Sequence, residues 1–107
     1  MKHADLNPLF SDAASLGRST ILFHEDGLRG LLLHLKAGER IPEHQARGAI
    51  SVHCLKGEAA FSCGDVQVTL RPASLVSLPA AHAHGVAAIQ DTLLLVTIRE
   101  QMRDEPA

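Results

Sequence analysis

The chain has no Trp and no Tyr, and only three Phe among its 107 residues. Without those rings it lacks the stacking platform that usually holds single-stranded nucleic acid. It also lacks an excess of charge of either sign. Ten Lys and Arg stand against twelve Asp and Glu, a formal net charge of −2. A nucleic-acid groove or a surface for anionic lipid needs a basic excess, so neither nucleic acid nor membrane is expected as a partner. Cysteine is scarce: Cys54 and Cys63 are too few for a disulfide framework, and no CxxC or Cys/His zinc spacing occurs. Both thiols read as small buried hydrophobes. Long apolar runs are missing too. Segments such as Leu93 to Val96 fall far short of the ~20 residues that span a bilayer. No stretch of about 7–15 apolar residues follows the basic start, as a secretory signal would require. The expectation is a soluble, cytoplasmic protein.

What is present points to a globular domain. The apolar fraction is 46%, ordinary for a packed core and too high for disorder. The length fits one compact domain. The abundance is in histidine, with seven in so short a chain. Most of the functional question is where those imidazoles point.

Along the chain, Asn7 suits a helix cap, Pro8 the first helical position and Gly17 the stop. Leu9, Ala13 and Leu16 then share a face, so one short helix is expected within residues 1–18. From residue 19 to 99 the pattern is β. Thr20–His24 and Leu28–Leu35 flank Glu25-Asp26-Gly27, a strong hairpin signal. Ile50 to Leu55, Ala59 to Cys63, Val66 to Leu70, Leu75 to Leu78, Val86 to Ile89 and Leu93 to Ile98 follow, with turn signals at Gly57-Glu58, Gly64-Asp65 and Pro79. About eight short strands at intervals near ten residues imply a sandwich or barrel. Residues 100–107 form a polar tail. If Gly57-Glu58 is a two-residue turn, Cys54 lies opposite Phe61 and Cys63 opposite Val52. The thiols are then roughly 7–8 Å apart at the backbone, too far for an unstrained disulfide.

Two segments carry a family resemblance. Gly38, five residues, His44-Gln45-Ala46, three residues, Ile50, six residues, Gly57 has the frame of the first cupin motif, in which Gly, His-x-His, Glu and Gly keep this spacing. Pro79-Ala80-Ala81-His82-Ala83-His84 has the frame of the second, Pro-x-Gly-x-x-His. Over about residues 19–98 the chain resembles a small single-domain cupin of the conserved-barrel, RmlC-like type. The resemblance implies an all-β double-stranded β-helix, or jelly roll. In metal-binding cupins two His and a Glu from the first motif and one His from the second hold the metal. His44 and His84 match two of these positions. Ala46 stands at the second His position, Ile50 at the Glu position, and Ala81 at the Gly position. Half of the ligand set is replaced by side chains that cannot coordinate.

A catalytic Zn site takes three protein ligands, and a non-haem Fe(II) oxygenase takes two His and a carboxylate. The candidate third ligand is His82, which shares a side with His84 if the segment is extended; in a turn that parity lapses. His44, His84 and His82 are therefore the candidate ligands for a divalent transition metal (Zn, Fe, Ni or Mn). The other readings are two pocket imidazoles bonded to each other or to water, and a metal-free acid/base pair, since imidazole titrates near neutrality. The metal-free epimerase branch of cupins pairs His with a phenol, which this chain lacks. On the inward parity Val52 and Cys54 continue from Ile50, Phe61 faces them, and small residues at 46, 81 and 83 leave room. The candidate pocket is thus His44, Ala46, Ile50, Val52, Cys54, Phe61, His82 and His84, either open to a small molecule or simply filled. His34 and His53 have the outward parity and are expected at the surface or a subunit interface; His24 is expected to be solvated and His3 lies in the N-terminal tail.

Three functions compete. One is a small-molecule-binding cupin with an incomplete metal set. The second is a metal-dependent oxygenase or isomerase. The third is an interaction module, because Leu31 to Leu33 is apolar on both faces of its strand and such a strand must cover something beyond its own core. Cupins are commonly homodimers through such strands, so a homodimer is expected, compatible with either of the others.

Overall fold

The computed structural model describes residues 1–10 and 18–100. Among these residues there are nine strands: β1 (Ser19–Glu25), β2 (Leu28–Leu35), β3 (Arg40–Gln45), β4 (Ala49–Lys56), β5 (Ala59–Cys63), β6 (Val66–Leu70), β7 (Leu75–Leu78), β8 (Ala83–Ala88) and β9 (Thr92–Arg99). They form a five-stranded sheet, β1-β2-β9-β4-β7, and a four-stranded sheet, β3-β8-β5-β6. All pairings are antiparallel, and the two sheets enclose one core in the jelly-roll manner. Before β1, Asn7–Phe10 form a 3-10 turn; the remainder of the expected helix and the tail from residue 101 lie outside the described residues. Among the described residues no helix is long and apolar enough to cross a membrane.

The first hairpin follows from its turn. Asp26 and Gly27 both adopt positive φ, 51° and 79°, the two-residue geometry whose twist matches the strands it joins. Glu25 then pairs with Leu28. Alternation sets the faces. Leu31, Leu33 and Leu35 of β2 stand against Val96, Leu94 and Thr92 of β9, and Ile50, Val52 and Cys54 of β4 against Ile98, Val96 and Leu94. This is the inner face of the larger sheet. Phe61 and Val86 are paired on the smaller sheet and belong to the same core.

Three expectations are corrected. The ninth strand, β3, is absent from the sequence-based reading. Its residues, Arg40-Ile41-Pro42-Glu43-His44-Gln45, are mostly polar and interrupted by proline. Both are tolerated because β3 is an edge strand, and the register shifts between Ile41 and His44 where Pro42 interrupts the ladder. Second, β4 and β5 do not pair across Gly57-Glu58. β4 pairs with β9 and β7, while β5 pairs with β8 and β6, so the chain crosses between sheets at that turn. Cys54 and Cys63 are free, but not for the cross-strand reason. Third, His34 is outward as its parity requires but is buried, at 8% exposure, as is its outward neighbour Leu32. Phe23 covers part of that face. A Cβ on Gly30 would collide with the Phe23 ring, so the missing side chain is what admits the aromatic.

Candidate functional site

Edge strand β3 and internal strand β8 place the two motif histidines. The irregularity at Pro42-Glu43 re-aims the strand, a common use of such a register shift. After it His44 pairs directly with His84. Their rings have centroids 4.5 Å apart and planes tilted by 58°. On the other side His84 stacks on Phe61, with centroids 5.8 Å apart and planes within 16°. His84 is 6% exposed, whereas His44, on the edge strand, is exposed.

Each imidazole is tethered through the same atom. His44 Nδ1 lies 3.0 Å from the Pro42 carbonyl oxygen and His84 Nδ1 2.9 Å from that of His82. A carbonyl oxygen only accepts, so in each neutral ring Nδ1 carries the proton and donates it. Nε2 is left with a lone pair. Two converging rings in this tautomer offer two acceptors to a bound molecule, or two donors when protonated.

Between the sheets lies an inner chamber of about 200 Å³. Its walls come from β2 (Leu31, Leu33), β3 (Ile41, His44), β4 (Ile50, Val52), β5 (Phe61), β8 (His84, Val86) and β9 (Leu94, Val96, Ile98), together with Ala46. Among the described residues His44 and His84 are its only polar side chains. A second, wider chamber of about 490 Å³ is lined by Arg29, His44, Gln45, Ala46, Arg47, Ile98 and Glu100. The two share His44, Ala46 and Ile98 as walls. The outer one is therefore a charged antechamber to the apolar interior.

Of the residues expected at a pocket, His44, Ala46, Ile50, Val52, Phe61 and His84 come together around the inner chamber. Cys54 lies deeper, fully buried in the packed core rather than on the chamber wall. Burial pushes its thiol above the usual value, partly offset by a hydrogen bond with the Lys56 backbone. His82 is exposed and outside the chamber lining. It precedes β8, directly after a turn in which Ala81 has φ 69°. The extended-chain parity that would align it with His84 therefore does not apply, and it contributes a backbone carbonyl instead. Among the described residues no group of three or more His, Cys, Asp or Glu is placed to hold a metal ion. The donor set is two imidazoles, one short of the three protein ligands a catalytic Zn site takes. A resident metal of the kind bound by the fuller cupin motif does not fit the residues present.

Arg29, Arg47 and Glu100 were not legible as site residues from the motifs. Arg29 had a signal: it shares the parity of Leu31 and Leu33 and so faces inward at the open end of β2. Arg47 and Glu100 had none, since they stand outside regular alternation. Glu100 is drawn in by Arg29 Nε at 3.9 Å and His24 Nε2 at 3.6 Å.

No protein-family model and no curated protein matches the chain. Solved structures do. A cupin superfamily protein from Desulfitobacterium hafniense is 24% identical with a TM-score of 0.74, over 78% of this chain and 76% of that one. An RmlC-like cupin from Desulfovibrio desulfuricans is 26% identical with a TM-score of 0.70, over 76% and 79%. A cupin-2 domain protein from Shewanella frigidimarina superposes with a TM-score of 0.75 over 91% and 94%, at 12% identity.

Proposed function

We propose that this small cupin-domain protein binds a small organic molecule in the interior of its barrel, with His44 and His84 as the polar contacts. The cupin fold itself hosts many chemistries, so the reading rests on the site rather than on the fold. One observation carries it: an apolar chamber of about 200 Å³ in which two tethered imidazoles are the only polar side chains among the described residues. A concave apolar cavity with a few convergent polar groups is the usual form of a small-molecule site. An apolar cavity of about 150 Å³ accommodates benzene, so a ring-sized or branched-alkyl body fits.

The second reading, a metal-dependent oxygenase or isomerase, has one observation in its favour. Histidines that ligate metals donate their other ring N–H to a carbonyl or carboxylate, as both do here. The two-imidazole donor set stands against it, and no step through a metal follows from these residues.

The test is a ring- and alkyl-fragment panel followed through methyl resonances of Ile50, Val52 and Leu94. Saturable shifts confined to these walls are expected. A panel that moves none of them overturns the reading. Metal analysis of untagged protein decides the alternative: a stoichiometric metal lost in His84→Ala would establish it. The proposal includes a homodimer through the outer face of the larger sheet, where Leu75 stands 65% exposed next to half-buried His53. Light scattering that gives a monomer at micromolar concentration would overturn that part.

A further inference from the structure

The geometry points to a small carboxylic acid as the ligand class, with its apolar body in the inner chamber and its carboxylate in the antechamber against Arg29 and Arg47. This rests on the proposed binding function and adds the charge and orientation of the ligand. The two chambers share walls at His44, Ala46 and Ile98. Ala46 stands where the metal-binding motif has a histidine, and its single methyl group makes it the smallest of the three side chains that the chambers share.

The antechamber's charge is the second observation. Among the described residues Arg29 and Arg47 contribute two positive charges to its walls, and Glu100 is the only acid there. That acid is shared between Arg29 and His24. Arg29 Nε is a buried nitrogen without a hydrogen-bond partner among the described residues; its nearest carboxylate oxygen, at 3.9 Å, is beyond bonding distance. Buried polar atoms are almost always partnered; this nitrogen has no surface of its own on the chamber wall, so a ligand would meet Arg29 through the rest of a side chain that is 35% exposed. Guanidinium groups bind carboxylates through paired, charge-assisted bonds, and a carboxylate is the acceptor that also balances the excess charge. Among the described residues the inner chamber offers an anion no cationic side chain except a protonated His44 or His84, which sets the direction of entry: apolar end first.

The test is calorimetric titration with a matched pair, 3-phenylpropanoate and 3-phenylpropan-1-ol, into the wild-type protein, Arg47→Gln, Arg29→Gln and Ala46→Leu. The acid is expected to bind at least about tenfold more tightly than the alcohol. Arg47→Gln and Arg29→Gln should each remove most of that preference and leave the alcohol's affinity unchanged. Arg47 is exposed and its replacement leaves the core intact, so the test survives if Arg29→Gln fails to fold. Ala46→Leu should weaken both ligands by narrowing the junction. Equal affinity of acid and alcohol, or a preference that survives both Arg replacements, overturns the assignment while leaving the pocket standing. If neither compound binds and the Ile50, Val52 and Leu94 methyl groups do not move, the pocket reading fails and this inference with it.

Discussion

The two ends of the barrel are built from the same strands with the same alternation, yet one is solid and the other hollow. At the closed end Leu35, Cys54, Ala59, Leu70 and Thr92 are all at 0–1% exposure. The Thr92 hydroxyl is satisfied there, 2.8 Å from the Gln90 carbonyl and 3.0 Å from that of Glu58. Gly57, at φ 88°, brings the chain so close to Asp91 that a Cβ would collide with its carbonyl. At the open end Ile41, Ala46 and Ile98 are only half-buried, and His44 is exposed. Inward parity alone therefore does not fill a barrel. Filling needs large side chains and close backbone approach together, and at the open end small Ala46 and the irregular edge strand β3 supply neither.

Stability should report that contrast most strongly through core truncation. Leu70→Ala at the closed end is expected to lower unfolding free energy by about 2–5 kcal/mol, because a close-packed site cannot collapse around the void. Ile98→Ala, on the wall of an existing cavity, should lower it by only about 1 kcal/mol. Urea unfolding of both variants measures this; equal losses would mean the open end is as tightly packed as the closed one.

The histidines sharpen the comparison within the site. His84→Ala removes a buried ring stacked on Phe61 and should destabilise by about 1–3 kcal/mol. His44→Ala, exposed at the edge, should stay within about 0.5 kcal/mol, although both line the same chamber. Thermal unfolding distinguishes them, and a larger loss at His44 would reverse the assignment of edge and interior.

A gain is expected at the turn before β8. Ala81 is held at φ 69°, a left-handed conformation unfavourable for a residue with a Cβ. Ala81→Gly should raise stability by about 0.5–1 kcal/mol, the relief of strain less the extra freedom of glycine in the unfolded chain. An unchanged or lowered midpoint would show that this turn is not under strain.

The smallest effect concerns the thiols, one at each end. Burial raises the Cys54 pKa, so the native state holds that proton where the unfolded chain has released it. The contribution is fully present below the unfolded value and is lost as pH rises through the folded one, so stability should fall slightly in the alkaline range. Half-buried Cys63 should react with a thiol reagent well before Cys54 in the native protein. Equal rates would mean the closed end opens as readily as the other.

Much of the fold was legible in the sequence because strand alternation and turn chemistry are local. Asp26-Gly27 announces its hairpin, and Leu31, Leu33 and Ile50, Val52 announce an inward face. The strand that carries His44 was hidden. Its proline and polar residues read as a loop, and only its place at a sheet edge makes them compatible with pairing. The site was legible as far as spacing could take it. His44, Ala46, Ile50 and His84 come from motif frames and Val52 from parity, whereas Phe61 was reached through a pairing of β4 with β5 that does not exist and lines the chamber from the opposite sheet instead. His82 could not be placed from strand parity, because the φ of Ala81 decides its direction; the one signal was that Ala81 stands at the Gly position of the motif, where a left-handed turn is favoured.

The sequence by itself determined, through short-range periodicity, that this chain makes an all-β sandwich or barrel; its resemblance to the cupin motifs implied the jelly roll and, by residue identity, an incomplete metal-ligand set. Only the tertiary structure decided that β4 and β5 part into different sheets. It also decided that His44 and His84 lie directly opposite each other on β3 and β8, and that Arg29, Arg47 and Glu100 meet at the mouth of the interior. Those facts depend on which distant segments lie side by side, and no local pattern in the chain encodes that distance.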